Sequence, residues 1–252
     1  SDMEGLGCMD VVRDEPMSSS DAFEERYQRQ LLLPEVGRAG QVCLASKHVL
    51  VVGAGGLGST YLPLLAGAGL GKLTICDGDV VTLSNLPRQI LYTTEQIGQA
   101  KALVAAERLR ASSPTCQVIP VVAMLTETNI LALTQGVDLI IDASDNEATR
   151  RLIDRYAVEH SLPWLYASVE GWQGQVALFT AGSRSYHELF PEQEQECAEP
   201  STPLPMLAST PAVIASLATA EALKYLLGLP TSLADELLLI DSLEMNFLRV
   251  KR

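Results

Sequence analysis

The amino-acid sequence predicts an α/β fold: a doubly wound, mostly parallel Rossmann-like sheet extended by antiparallel strands, with helices on both faces. Three observations predict it. Short apolar runs alternate with helical segments as far as about residue 160, which is typical of a parallel sheet with crossover helices. A glycine-rich loop joins the first apolar run to a helix. The last strand-like runs are joined by short turns, which favours antiparallel pairing.

The elements divide into a leader and one domain. Residues 1–20 are polar and lack a hydrophobic period, so we expect a flexible leader. Residues 21–252 are expected to form a single domain with one long loop at about 182–210, which is acidic and rich in proline. The predicted helices are 23–33, 57–69, about 99–112, about 126–135, 145–160 and 211–227. The predicted strands are 48–55, 73–79, 117–124, 137–144, 163–168, 175–181, 236–243 and 246–252.

Composition excludes several classes of function. The net charge of −13 comes from 18 basic and 31 acidic residues, so a nucleic-acid-binding surface is not expected. No apolar run reaches the roughly 18 residues of a membrane span. The five cysteines are dispersed and form no CxxC pair, which favours a reduced protein. We therefore expect a soluble cytoplasmic protein with neither a nucleic acid nor a membrane as partner.

The glycine-rich loop GAGGLGS, residues 53–59, follows a predicted strand and opens a helix. Gly53, Gly55 and Gly56 allow a tight turn and let backbone N–H groups approach a phosphate at the helix N-terminus. Asp77 ends the next strand, where an acidic residue bonds the ribose of a nucleotide; the alternative is that it only begins a turn with Gly78. The loop predicts an adenine nucleotide without deciding between a dinucleotide and a mononucleotide.

The segment after Asp77 favours a triphosphate. Asn85, Arg88 and Lys101 supply an amide and two cations, which is more than a nicotinamide site needs. Such groups neutralise the β- and γ-phosphates as they leave. Lys101 taken alone would be an ordinary surface lysine.

The strand end DASDN, residues 142–146, supplies further acidic groups. Carboxylates at the carboxyl end of a parallel strand face the ligand crevice, and such a group can hold Mg²⁺ against triphosphate oxygens. Asp145 is the candidate for this role. It could equally cap the N-terminus of the following helix, and the two roles are compatible.

Five segments together resemble the ThiF/MoeB/HesA family, which are bacterial adenylyltransferases related to ubiquitin-activating enzymes. They are RYQRQ (26–30), GAGGLGS (53–59), DGDVVTLSNLPRQ (77–89), IGQAK (97–101) and DASDN (142–146). They occur in the family's order and spacing, and the resemblance runs from about residue 20 to 250. It implies an enzyme that binds MgATP and a small ubiquitin-like sulfur-carrier protein ending in Gly-Gly. The enzyme would join AMP to the carrier's C-terminal carboxylate and release pyrophosphate, for sulfur transfer of the thiamine or molybdopterin type.

The resemblance also implies roles for single residues. Gly55 and Gly56 would cradle phosphate and Asp77 would bind the ribose. The triphosphate would be gripped by three side chains, those of Asn85, Arg88 and Lys101. Asp145 would serve Mg²⁺ or the reacting carboxylate. Arg29 would enter the neighbouring subunit's site in a homodimer, where an arginine supplied in trans stabilises charge on the phosphates.

Two features depart from the family pattern. The place of the first CxxC pair of zinc-binding relatives reads SYHELF, residues 185–190, and no second pair follows, so we expect no zinc. Cys197 lies in the long loop, where relatives carry a cysteine that links covalently to the partner or to the sulfur donor. The glutamates around it would raise its pKa, so it is either a reactive thiol or an incidental one.

Other functions remain open at this point. The altered sequence of residues 200–211 is compatible with adenylation of another peptide or of a small-molecule carboxylate. An NAD-dependent oxidoreductase would also use the glycine loop, but it leaves Arg29, Arg88 and Lys101 unexplained. A non-catalytic binding module would usually have lost one of these cations.

Overall fold

The computed structural model describes residues 19–191 and 203–252. Its helices are α1 Ser19–Leu31, α2 Gly37–Ala45, α3 Gly58–Gly67, α4 Lys101–Ser112, α5 Ile130–Leu133, α6 Glu147–His160, α7 Tyr186–Leu189 and α8 Thr210–Leu226. Its strands are β1 His48–Val52, β2 Lys72–Cys76, β3 Gln117–Val121, β4 Leu139–Asp142, β5 Trp164–Glu170, β6 Gln173–Phe179, β7 Glu236–Asp241 and β8 Asn246–Lys251.

The strands form one mixed sheet in the order β3-β2-β1-β4-β5-β6-β7-β8. The first five strands in this order are parallel, and β6, β7 and β8 add antiparallel pairs. The predicted fold class is therefore confirmed. The chain moves outward from β1 to β3 and then returns to the other side of β1 with β4. This reversal opens a crevice at the carboxyl ends of β1 and β4, which is the usual ligand site of an open parallel sheet.

Successive side chains of the central strand β1 point to opposite faces of the sheet. Val49 and Val51 belong to one buried cluster, whereas Leu50 and Val52 belong to the other. The first cluster contains residues of α3, α4 and α8, and the second contains α6 together with the aromatic rings around Trp164. Because both faces are covered, the sheet is rigid where its strands end at the crevice.

Several predicted boundaries and elements are wrong. Helix α1 begins at Ser19, inside the predicted leader, while residues 1–18 lie outside the described ranges. The predicted helix 126–135 is reduced to the single turn of α5. The predicted long loop contains α7, which a reciprocal pair of bonds between Ser185 and Glu188 caps. Helix α2 was not predicted at all.

Within residues 19–191 and 203–252, none of the helices is both long enough and apolar enough to cross a membrane.

Candidate active site

A cleft of about 890 Å³ lies at the carboxyl ends of β1, β2 and β4. The glycine loop and the segments after β2 and β4 form one end of it. Strands β5, β6 and β7 form the other end, with side chains that include Ser168, Glu170, Gln175 and Leu239. The two ends differ in chemistry, since the first carries backbone N–H groups and charges whereas the second is a mixed strand surface. A nucleotide and a second, extended substrate could lie end to end along such a cleft.

The glycine loop is held in a shape that other residues could not adopt. Gly53 has φ +102°, and a Cβ atom there would lie 2.5 Å from the carbonyl oxygen of Ala143. A Cβ atom on Gly58 would lie 2.4 Å from the carbonyl oxygen of Gly53. Among the described residues, the N–H groups of Gly55 and Gly56 donate to no acceptor. Their free donors and the adjacent start of α3 make this turn suited to an anion.

Asp77 links the glycine loop to the end of β2. One oxygen of its buried carboxylate accepts the N–H of Ala54 at 2.7 Å, and the other accepts the N–H of Asp79 at 2.7 Å. Burial raises the pKa of Asp77, while these two bonds and the nearby Lys101 act in the opposite direction. Asp77 also lines the cleft, so it does more than begin a turn.

The two predicted cations reach the same cleft, but the predicted amide does not. Arg88 lines the cleft and donates to the carbonyl oxygen of Ser84 at 2.9 Å. Lys101 is the first residue of α4 and is buried, with its Nζ 3.5 Å from Oδ2 of Asp79. Asn85 is not part of the cleft wall; its carbonyl oxygen accepts the N–H groups of Arg88 and the next residue, and so shapes the turn that positions Arg88.

The DASDN segment divides its polar residues between three tasks. Asn146 is the N-cap of α6, because its Oδ1 accepts the N–H of Thr149 at 2.8 Å. The alternative in which Asp145 caps this helix is therefore wrong. Asp142 is fully buried and binds Ser144 through one oxygen and Arg150 Nε, at 3.2 Å, through the other. Asp145 is exposed and lines the cleft.

Two predicted residues lie elsewhere. Arg29 is exposed in the last turn of α1 and does not line the cleft of its own chain. Cys197 lies outside the described residues, so its prediction stays untested.

The cleft-wall residues that the sequence reasoning missed include Asp79, Gln89 and Arg150, which carry polar or charged groups at the glycine-loop end. Each lies in or beside a motif that the sequence did reveal. Asp79 follows Asp77 by two positions, and Gln89 directly follows Arg88. Arg150 is one turn into α6, where its guanidinium lies 5.4 Å from the centre of the Tyr166 ring. Position in a motif was the available signal, but only the fold shows which side chains turn inward.

The chain is similar to known proteins over most of its length. The model of the ThiF family matches residues 27–252. A sulfur carrier protein adenylyltransferase of Thermus thermophilus is 43% identical over 230 residues, which cover 88% of this chain and 85% of the relative. The SAMP-activating enzyme E1 of Haloferax volcanii is 36% identical, covering 91% and 86% of the two chains. The adenylyltransferase and sulfurtransferase MOCS3 of Danio rerio is 38% identical, but the match covers only 50% of its length.

Solved structures support the fold. The E. coli MccB structure with ATP has a TM-score of 0.80 at 21% identity, covering 90% of this chain and 71% of that one. PaaA has a TM-score of 0.78 at 20% identity, covering 98% and 78%. At these identities the likeness concerns the path of the backbone alone.

Proposed function

The chain belongs to the ThiF family and is an adenylyltransferase, and we propose that it activates the C-terminal carboxylate of a small sulfur-carrier protein ending in Gly-Gly. ATP is the second substrate, and the products are the carrier's acyl-adenylate and pyrophosphate. We assign the adenylate to sulfur transfer of the thiamine or molybdopterin type, in the cytoplasm. One observation carries the proposal most directly: the glycine loop, Arg88, Lys101 and Asp145 all line a single cleft.

The nucleotide end of the cleft suits ATP. The unpaired N–H groups of Gly55 and Gly56 would bind phosphate oxygens, and Asp77 would bind the ribose. Arg88 and Lys101 would neutralise the β- and γ-phosphates. The match to the ThiF family and the adenylyltransferase relatives speak against the oxidoreductase alternative, which is not retained.

Magnesium fits the acid that borders this end. Asp145 is an exposed carboxylate on the cleft wall, and an oxygen ligand of this type suits Mg²⁺. Mg²⁺ is commonly held by one or two carboxylates together with substrate phosphates and water, so a larger protein cluster is not needed. When bound, the ion would supply positive charge to the phosphate oxygens.

The reaction needs positioning more than acid–base chemistry. A carboxylate oxygen of the carrier attacks the α-phosphorus of ATP, and the bond from that phosphorus to the bridging oxygen of pyrophosphate breaks. The nucleophile is already ionised, so no general base is required. The cleft holds the carboxylate and the α-phosphate in line, and the cations stabilise the negative charge that collects on pyrophosphate.

The second subunit of a homodimer would complete the site. Arg29 is exposed and lies away from its own cleft, which leaves it available to a neighbouring copy. An arginine contributed in trans stabilises phosphate charge during transfer. Cys197 is proposed as a thiol that receives the activated carrier or contacts the sulfur donor, and a loop thiol can act in this way when it ionises.

ATP–pyrophosphate exchange tests the proposal. Purified protein would be incubated with ATP, Mg²⁺, labelled pyrophosphate and candidate carriers that end in Gly-Gly. We expect exchange that depends on one carrier and on its terminal glycine carboxylate, and that is lost in Arg88→Ala. If none of the carriers supports exchange although the protein measurably binds ATP, the carrier is refuted as the substrate. Exchange that persists in Arg88→Ala would refute the assigned triphosphate contact.

A further inference from the structure

Strands β5 to β8 present a continuous face to the cleft beyond its nucleotide end. Residues that pair directly across neighbouring strands lie on the same face of a sheet. The strand pairing therefore forms a first row across this face, consisting of Glu170, Gln173, Asp241 and Asn246. A second row lies two residues closer to the nucleotide end and consists of Ser168, Gln175, Leu239 and Leu248. The residues of both rows line the cleft, so an extended ligand could lie along them.

The charges of the cleft wall are divided between its two ends. Arg88, Lys101 and Arg150 are the basic residues of the described wall, and all three lie at the nucleotide end. The first row carries the acids Glu170 and Asp241, and no described basic residue lines the cleft beside them. A ligand that is anionic at the nucleotide end and cationic over the first row would complement both ends.

The two acids of the first row differ in what they already bind. One oxygen of Asp241 accepts Nε2 of Gln173 at 2.8 Å, and the other accepts the N–H groups of Leu243 at 3.0 Å and Glu244 at 3.2 Å. Asp241 therefore serves the turn between β7 and β8. The carboxylate of Glu170 is exposed and, within the described ranges, makes neither a hydrogen bond nor an ion pair. Glu170 is the acid of this row that is left for a ligand.

The backbone that carries Glu170 is held on both sides. Glu170 ends β5 and pairs with Gln173 of β6. The next residue, Gly171, donates its N–H to the carbonyl oxygen of Pro205 at 2.7 Å, and its own carbonyl oxygen accepts from the hydroxyl of Thr210 at 2.8 Å. A free charge on a fixed backbone can discriminate between ligands, because little order has to be imposed when the ligand binds.

The strand register gives the distance from Glu170 to the reacting end of the cleft. Ile141 of β4 pairs with Leu165 of β5, so Asp142, where β4 ends, is level with Tyr166. Glu170 lies four residues further along β5, which is about 13 Å. An extended peptide also needs about four residues to cover that distance. A peptide whose terminal carboxylate reacts at the end of β4 would therefore place about its fifth residue from the end over Glu170.

We propose that Glu170 is a specificity residue that selects a tail with lysine or arginine about three positions before Gly-Gly. The proposal rests on the proposed function for the identity of the substrate as a carrier tail. The carboxylate of Glu170 accepts hydrogen bonds from the ammonium or guanidinium group of that residue. Because this contact is remote from the reacting atoms, it acts on the KM for the carrier and leaves kcat unchanged.

Labelled synthetic peptides test the contact directly. Each has about ten residues of serine and alanine before Gly-Gly, with a single lysine fifth from the end, a single lysine at the far end, or a glutamate fifth from the end. Their binding to the whole chain would be measured by fluorescence anisotropy. The protein variants are Glu170→Lys and, as the control, Glu159→Lys, which changes the net charge equally at an exposed position of α6 outside the cleft.

Wild-type protein should bind the peptide with lysine fifth from the end about three- to fivefold more tightly than the one with lysine at the far end. Glu170→Lys should reverse the preference and favour the glutamate peptide, at an unchanged unfolding midpoint, whereas Glu159→Lys should keep the wild-type order. Equal binding of the two lysine peptides by wild type would overturn the proposal. A reversal in Glu159→Lys as well, or no binding of any peptide, would also overturn it.

These outcomes separate the contact from the larger function. If no carrier supports ATP–pyrophosphate exchange but Glu170→Lys still reverses the peptide preference, the proposed carrier reaction is wrong and the basic-tail contact stands. If a carrier supports exchange and its KM is the same for wild type and Glu170→Lys, the contact is wrong and the function stands.

Discussion

Replacing Lys101 by methionine should remove catalysis while leaving the fold intact. The Lys101 side chain is 6% exposed, but its partner Asp79 is 65% exposed, so Asp79 returns to water when the cation is lost. Such a pair contributes less than about 1 kcal/mol to the free energy of unfolding. For a chain of this size that is a fall of at most about 4 °C in the unfolding midpoint. A preorganised group aimed at developing charge, by contrast, contributes about 10²–10³-fold to the rate.

Steady-state ATP–pyrophosphate exchange and thermal unfolding of Lys101→Met measure the two effects separately. Lys251→Met is the matched control, because Lys251 is exposed on β8 and does not line the cleft. We expect the rate of Lys101→Met to fall by about 10²–10³-fold while that of Lys251→Met stays at wild type. A rate within threefold of wild type, about 0.7 kcal/mol, would refute the assigned role. A large fall in the midpoint would refute the argument from the exposure of Asp79.

Four further outcomes follow from the same reasoning. Arg150→Met leaves Asp142 buried without its cation, so chemical denaturation should show a free energy of unfolding that is lower by about 3–5 kcal/mol. A loss below about 1 kcal/mol, which is the range of an exposed ion pair, would contradict this. Burial raises the pKa of the Cys116 thiol to about 11, so native protein at pH 8 should be alkylated far more slowly at this site than denatured protein, as peptide mass analysis would show. EDTA should stop exchange by removing Mg²⁺ but leave the unfolding midpoint unchanged, whereas a fall would indicate a structural metal. Mixing Arg29→Ala with Arg88→Ala should restore about a quarter of wild-type sites if Arg29 acts in trans and the subunits mix at random; no recovery after confirmed subunit exchange would exclude that arrangement.

The strands could be predicted because runs of apolar residues indicate that they are buried. β1 consists almost wholly of apolar side chains that enter both cores, and a run of this kind has few other uses in a folded chain. Helix α2 carries no such signal, since its buried residues are Gln41 and Leu44 alone. Gln41 is held there by Gln30 and by the carbonyl oxygen of Ala68, which are distant in sequence. A polar residue buried through tertiary bonds looks like a surface residue when only the sequence is read.

The cleft residues divide in a similar way. Gly53, Gly55 and Gly56 could be predicted because they form a recognisable motif between a strand and a helix, and at Gly53 the φ of +102° itself demands glycine. Asn85 was predicted from its place in the SNLPRQ segment, and the order of residues alone does not show whether a side-chain amide in a short turn faces the cleft. In the structure, the turn that begins at residue 83 places Arg88 and Gln89 on the cleft wall, whereas Asn85 does not line the cleft. Direction within a short turn depends on backbone bonds that composition does not determine.

The DASDN segment shows how the fold distributes similar groups among different tasks. Asp142 is buried and paired with Arg150, and the side-chain oxygen of Asn146 accepts a hydrogen bond from the N–H of Thr149. Among the described residues, Asp145 makes no bond within the chain, and its carboxylate borders the cleft. A carboxylate enclosed by an arginine is poorly placed to bind a metal, and a capping amide has already used its oxygen. Asp145 is therefore the acid of this segment that we propose for Mg²⁺ or for the reacting carboxylate, and the buried Asp142–Arg150 pair holds the start of the loop through its bonds to Ser144.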